Sequence, residues 1–226
     1  NRLINNQLFL EFNSRYVLGT FRVKSDYTNY SYGYDAVLNT NNVIITTPKL
    51  RGNALSLGAD WRANIKNFYL NTEAHLTPGV ARLSGKNFYS EAIYKKDSLF
   101  SLKAALTLNS KSPNFNTLLF QSSYDDYNWQ NDTFKNVNTR NLHVGFDTKW
   151  LKASANIANI ENYTYFDAAA QPQQSGENIT YLKIKANNEF KFGKFALNNT
   201  VLYQKVSTGS SVFRVPEIVI RNTLYY

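Results

Sequence analysis

The feature that most constrains this chain is an alternation of apolar and polar residues with a period of two, sustained over long stretches. Leu55, Leu57, Ala59, Trp61 and Ala63 are separated by Ser56, Gly58, Asp60 and Arg62. Successive side chains of a strand point to opposite faces, so this spacing gathers the apolar groups on one side and the polar groups on the other. The pattern returns at Phe68–Leu76, at Phe100–Leu108 and at Leu142–Trp150. It returns again in Leu182, Ile184, Ala186, Phe190 and Phe192, where Asn188 is the one break, and in Phe195, Leu197, Val201 and Tyr203. The last run is Ile218, Ile220, Asn222, Leu224 and Tyr226. Turn signals separate the runs: Arg51-Gly52-Asn53, Lys66-Asn67, Lys95-Lys96-Asp97-Ser98, and Gly193-Lys194. The last of these joins Phe192 to Phe195 in about the shortest hairpin a chain can make. Longer polar stretches, 125–136 and 167–178, alternate with these tight turns. No apolar repeat of 3.6 residues competes, so essentially no helix is expected. The runs and the spaces between them predict roughly twelve strands in one domain spanning residues 1–226.

The next question is which solvent the apolar face meets. Strands of soluble sandwiches average roughly five to six residues. Here the alternation often persists over roughly nine to eleven, the length a tilted strand needs to cross a bilayer. The polar face is rich in Asn, Ser, Thr, Tyr and Gly, with sparse mixed charge, as a wet, confined lumen would be. Tyr and Trp cluster near strand ends: Tyr27, Tyr30, Tyr32 and Tyr34, then Tyr124, Tyr127 and Trp129, then Tyr163, Tyr165 and Phe166. Read as an interfacial girdle, with short turns on one side and longer loops on the other, they describe an outer-membrane barrel. The fold class expected is therefore all-β: an antiparallel transmembrane β-barrel, of which this chain is a partial piece. The rival is a soluble β-sandwich or binding module. The chain has no Met and stops within a strand-like pattern, so it reads as an internal part of a larger protein, incomplete at both ends.

Composition removes other classes. With no Cys there is no disulfide scaffold, thiolate metal site or Cys nucleophile. Aromatic residues make up 15% of the chain, which excludes a disordered protein. The longest apolar run is three residues, as in Leu118-Leu119-Phe120, against roughly 18 for a spanning helix. The formal net charge is +9. Its Lys and Arg are spread over nearly every strand rather than gathered on one surface, and no nucleic-acid motif is present, so no nucleic-acid partner is expected.

Several stretches resemble the putative β-barrel porin family of Bacteroidota outer membranes. The clearest runs from Lys191-Phe192-Gly193-Lys194-Phe195 through Tyr203-Gln204-Lys205-Val206 to Val215-Pro216-Glu217 and Arg221-Asn222-Thr223-Leu224-Tyr225-Tyr226. Residues 112–122, Tyr127-Asn128-Trp129 and 161–166 share the likeness. The resemblance implies a barrel in the cell outer membrane, with outer-membrane lipid and lipopolysaccharide as surroundings and envelope proteins as further partners. The family pattern continues past Asn-Thr-Leu-Tyr-Tyr into more strands. It carries no assigned catalytic or binding residue.

Chemistry-bearing constellations are thin. His75 and His143 sit on polar faces, but no nucleophile stands two residues on: those places hold Thr77 and Gly145. An enzyme needs nucleophile, base and orienter in reach, so no enzyme and no cofactor are expected. Asp125, Asp126 and Asp132 in a long loop match no calcium-loop spacing. Neighbouring charges such as Asp60 with Arg62, Glu73 with His75 and Asp147 with Lys149 read as organisation of a pore wall. On the phased strands the polar face carries Arg62, Lys103, Lys149, Lys183, Lys185, Lys191 and Arg221 against Asp60, Glu73, Asp147 and Glu189. These seven bases are the candidate pore-lining residues, and their excess favours anions. Three functions are thus in view: a porin-like channel for passive passage of small solutes, a barrel with a blocked lumen serving an envelope assembly, and a soluble binding module.

Overall fold

A computed structural model describes residues 1–14, 18–34, 37–38, 44–45, 49–79, 82–124 and 126–226. The strands in chain order are β1 (Arg2–Ser14), β2 (Gly19–Tyr32), β3 (Val37–Leu38), β4 (Ile44–Ile45), β5 (Leu50–Ile65), β6 (Phe68–Thr77), β7 (Gly85–Lys96) and β8 (Phe100–Lys111). There follow the short helix α1 (Phe115–Leu118), then β9 (Leu119–Phe120), β10 (Trp129–Gln130), β11 (Val137–Thr148), β12 (Leu151–Glu161), β13 (Thr164–Phe166), β14 (Pro172–Gln174), β15 (Ile179–Phe192), β16 (Phe195–Thr208) and β17 (Ile218–Tyr225). Eleven of these form one antiparallel meander in the order β1-β2-β5-β6-β7-β8-β11-β12-β15-β16-β17. The remaining six form three small hairpins within the longer connections. The expectation of roughly twelve strands is met by eleven in the wall.

The strand lengths, mostly 10 to 16 residues, follow from the long alternation. Register shows what the alternation builds. Leu57 faces Leu76, Leu106 faces Leu142, Leu142 faces Ile157, and Ile184 faces Tyr203. One face of the sheet is thus an apolar band, interrupted at a few outward positions such as Ser25 and Ser90. Nothing among the described residues covers it: Leu57 is 54% exposed, Ile157 52% and Ile220 62%. A soluble protein rarely exposes so large a contiguous apolar surface. The fully buried apolar side chains are instead Leu118, Leu119 and Ile179, beneath the connections. The soluble sandwich does not survive this geometry, because no second sheet packs on the apolar face among the described residues. β1 and β17 are the sheet's edges.

The connections alternate strictly. At one end lie the turns 66–67, 97–99, 149–150 and 193–194. At the other lie 33–49, 78–84, 112–136, 162–178 and 209–217. Short turns at one end and long loops at the other are the pattern of outer-membrane barrels, whose short turns are periplasmic. At Gly193 the chain takes φ +61°, which glycine adopts without the clash a Cβ brings, and this sets the two-residue hairpin. The signal Arg51-Gly52-Asn53 does not make a turn: all three lie inside β5, paired with β2. They sit there because β2 and β5 extend together well past the apolar band. Arg51 and Asn53 therefore occupy a strand whose outer positions have left hydrocarbon.

Aromatic residues divide in a way the sequence does not reveal. The girdle lies at the short-turn end of the apolar face, where Phe68, Tyr94, Phe100 and Phe146 touch in series with ring centroids 4.8, 6.0 and 6.1 Å apart. Of the residues expected to form it, Tyr27 does face outward. Tyr30 and Tyr32 point to the polar face, and with Tyr34 they belong to the loop structure described next.

Candidate lumen wall and its loop cap

The polar face is built from side chains that pair across strands. Lys24 of β2 lies 2.9 Å from Asp60 of β5 and 3.1 Å from Glu73 of β6. His75 Nε2 is 3.0 Å from Asp26, which also accepts a hydrogen bond of 2.6 Å from Gln7. Arg22 donates to Glu11 at 2.6 Å, and Lys103 pairs with Glu91. His143 Nδ1 is 2.9 Å from Asn156. The sequence neighbours are therefore not the partners. Asp60 meets Lys24 rather than Arg62, and His75 meets Asp26 rather than Glu73, because Gly58 stands between Lys24 and His75 in register and, having no side chain, lets β2 side chains reach Asp60 diagonally and β6 across β5. Lys24, Asp26 and Glu91 were missed because β2 and β7 lack clean alternation: Ser25, Asn29 and Ser90 interrupt their outer faces.

The candidate pore-lining bases separate into two groups. Lys103 and Lys185 fall in one row, Lys103–Gly145–Ser154–Lys185, and Lys183 lies in the next, opposite Asn156. Lys152, which sequence reasoning missed because β12 was not phased, joins them. Lys103, Lys152, Lys185, His143 and Asp147 line a concavity of about 390 Å³. Arg62 is exposed on β5 toward the short-turn end, and Arg221 lies on the edge strand opposite Thr200. One placement differs from the expectation. Lys149 is not on a strand: it sits in the 149–150 turn, at the rim, because β11 ends at Thr148. Lys191 is at the turn end of β15 and pairs with Glu189 at 3.1 Å.

The wall is electrostatically two-sided. From β1 to β8 the acids Glu11, Asp26, Asp60, Glu73 and Glu91 each meet a base or an imidazole. From β11 to β17, Lys152, Lys183, Lys185 and Arg221 form no ion pair among the described residues. A low-dielectric wall around such unpaired charges focuses their field.

Above this wall the long connections interlock. The 112–136 segment crosses the polar face from β8 to β2, with three wall strands between them, and there Phe115 of α1 stacks on Tyr30 at 5.5 Å. Tyr30 is only 3% exposed. The aromatic series continues through Tyr32, Tyr34, Phe120 and Trp129 to Phe166 of the 162–178 segment. Phe213 of the 209–217 segment packs on Tyr163 and Tyr181. Polar contacts lock the same joints. Gln174 donates to the Lys135 carbonyl at 2.8 Å and accepts from the Lys135 N–H at 2.9 Å. Asn136 donates to Ser84, and Arg82 pairs with Asp132. Asp132, read as a calcium candidate, is engaged by Arg82 and Gln130. Asp125 lies outside the described residues. In the hairpin of β13 and β14, Asp167 accepts the N–H groups of Gln171 and Ala169 and the Gln173 amide. The Gln171 N–H, first among these, holds its carboxyl below the usual carboxylate range.

A single-layer antiparallel wall, apolar outside, polar inside, with short turns below and interlocked loops above, defines a transmembrane β-barrel of the outer membrane. The chain belongs to the putative porin family, whose model matches residues 1–226. No curated protein matches the sequence. Among solved structures it is similar to the siderophore receptor PirA from Pseudomonas aeruginosa, at 14% identity over 98% of this chain and 42% of that one, with a TM-score of 0.71. It is similar also to the copper transporter OprC, at 11% identity over 98% of this chain and 40% of that one, TM-score 0.66. The siderophore receptor PirA from Acinetobacter baumannii gives 10% identity, 97% and 39% coverage, and a TM-score of 0.64. At such identities the likeness is one of fold. The chain spans about two fifths of the length of these receptors. Family and fold together place the protein in the cell outer membrane.

Proposed function

We propose that the completed barrel is a porin-like channel for the passive passage of small solutes, without catalysis, and that it weakly prefers anions. The observation that carries this reading is the group of Lys152, Lys183 and Lys185 on the polar face, without ion pairs among the described residues, of which Lys152 and Lys185 line a concavity of about 390 Å³. Lysine-lined walls favour anions. The edges β1 and β17 also bear on it: lipid tolerates no open sheet edge, so closure calls for strands beyond these eleven. The experiment is single-channel recording of the full-length protein in a planar bilayer under a salt gradient. Conductance with a reversal potential on the anion side supports the reading. Cation selectivity overturns the anion preference, and no conductance overturns the channel.

A second reading has its own support: a barrel with a blocked lumen that serves an envelope assembly. The aromatic series from Tyr30 to Phe166 bridges the mouth rather than leaving it open. The similar structures are named as a siderophore receptor and a copper transporter, and barrels of about 22 strands carry a plug where those of 16–18 enclose a channel. Silent bilayers, with copurification of a stoichiometric envelope protein, favour this reading.

A further inference from the structure

The outward face carries a charge asymmetry that the channel reading does not use. Register assigns every wall residue to one face, and the outward residues can be followed from one membrane interface to the other. Through the middle of the band, Leu70, Ala92, Ala104, Val144, Ala155 and Ile184 follow one another across the strands without a charge. At the short-turn end the outward positions are the aromatic girdle, with Lys96 the one charged residue among those described. At the long-loop end the composition changes. Arg2 is the first residue of β1 and Arg51 the second of β5, and both flank Ser31 of β2. Lys86 is the second residue of β7, opposite Leu76. Arg140 faces outward near the start of β11, opposite Leu108, and Lys205 near the end of β16, opposite Leu182. All five are exposed. The one outward acid at this end is Glu161, 3.0 Å from Arg140. Arg2, Arg51, Lys86 and Lys205 have no ion pair among the described residues.

The turns of the short-turn end hold Lys66, Lys149 and Lys194, but on outward strand positions there are five cations at the long-loop end against Lys96 alone at the other, and solubility does not explain that difference, because both interfaces are equally wet. The lumen bases do not account for them either, since they lie on the opposite face. Long cationic side chains at the boundary extend along the apolar wall and hold their charge at headgroup depth. Long loops mark the outer leaflet. We infer that this belt binds the phosphate groups of lipopolysaccharide in the outer leaflet, with Arg51, Lys86 and Lys205 as direct phosphate ligands. Arg140, held by Glu161, presents its remaining donors to the same layer. The guanidinium groups of Arg2 and Arg51, on either side of Ser31, suit two oxygens of one phosphate. The inference rests on the outer-membrane assignment and not on an open lumen.

The test uses the full-length protein in detergent micelles and native mass spectrometry, with purified lipopolysaccharide and the same lipid after phosphatase treatment. Each interfacial cation is worth about fivefold in binding. The triple variant R51Q/K86Q/K205Q should therefore bind phosphorylated lipid roughly a hundredfold more weakly. Wild type should bind the phosphatase-treated lipid weakly as well. The lumen-facing variant K152Q/K185Q should bind like wild type, and so should the charge-keeping variant K86R/K205R. Heat-dependent gel migration confirms that each variant is a folded barrel, and the two-lipid comparison on wild type needs no variant. Equal binding of both lipids by wild type overturns the proposal. So does full retention by a folded triple variant, or loss in the lumen-facing variant. Conductance, recorded in parallel, should be the same in wild type and the triple variant. Its absence from both would overturn the channel reading and leave the lipid result to stand or fall by itself.

Discussion

At the scale of single residues, the decisive property is which face a side chain takes. Leu57 and Val144 face lipid in the middle of their strands, so Leu57→Arg or Val144→Arg should each destabilise the barrel by about 2–4 kcal/mol, read by urea titration in micelles or vesicles. Gly145, one residue along and facing the lumen, is the matched control. A Cβ added there would meet the His143 ring at 3.4 Å and Lys103 at 3.5 Å, an ordinary contact, so Gly145→Arg should be tolerated. Ser56 is a poorer control, because it is 5% exposed and hydrogen-bonded to Thr77 at 2.7 Å. The Lys24 cluster gives a second test. Lys24→Met leaves Asp60 and Glu73 together without a cation and should cost about 1–3 kcal/mol. Asp60→Asn added to it should recover part of that loss, since only one carboxylate then remains. No recovery would mean that the cluster does not share one cation. Faces were legible in the sequence wherever outer positions are apolar, as in β5, β8, β11 and β16. Partners were not, because alternation fixes the face of Asp60 and not the strand that will stand beside it.

At the scale of elements, wall and cap obey different rules. The wall's elements were readable from periodicity alone, save β1, β2, β7 and β12, where Asn6, Ser25, Ser90 and a run of small residues, Ala153 and Ala155, blur the outward face. The cap could not be read, because its order comes from contacts far apart in sequence, such as Phe115 on Tyr30 and Trp129 against Phe166. For the same reason the aromatic residues near strand ends looked like a girdle. Phe120 joins Tyr34 to Trp129, so Phe120→Ala should cost the cap about 2–3 kcal/mol and not the wall. Limited proteolysis should then cut within 112–136 and 162–178 while heat-dependent gel migration is unchanged. Equal resistance in the variant would show that the loops stand independently. Asp167 adds a pH dependence. Its folded pKa is lowered, so its contribution is present above the ordinary carboxylate pKa and lost as pH falls through the folded value. Exchange protection of the Gln171 N–H should hold at pH 5 and fall only in stronger acid. In Asp167→Asn it should be weaker at neutral pH and flat across the titration.

At the scale of the whole molecule, an apolar exterior and a polar interior invert the arrangement of a soluble protein, and that inversion is what the bilayer selects. The full-length protein should fractionate with outer membranes and resist extraction by salt or carbonate. Within its lumen, charge reversal at Lys183 and Lys185, which line the unpaired side of the wall, should shift the reversal potential more than the same change at Lys135 in the cap. The central claim is the inversion itself, and thiol accessibility along one strand measures it most directly. This chain contains no Cys, so thiols introduced at successive positions 142–147 of β11 report one at a time in the full-length protein in vesicles. The account predicts that positions 143, 145 and 147 react with a water-soluble maleimide, and that 142, 144 and 146 react only with a lipid-soluble one. Uniform labelling by the water-soluble reagent, with no alternation, would contradict it.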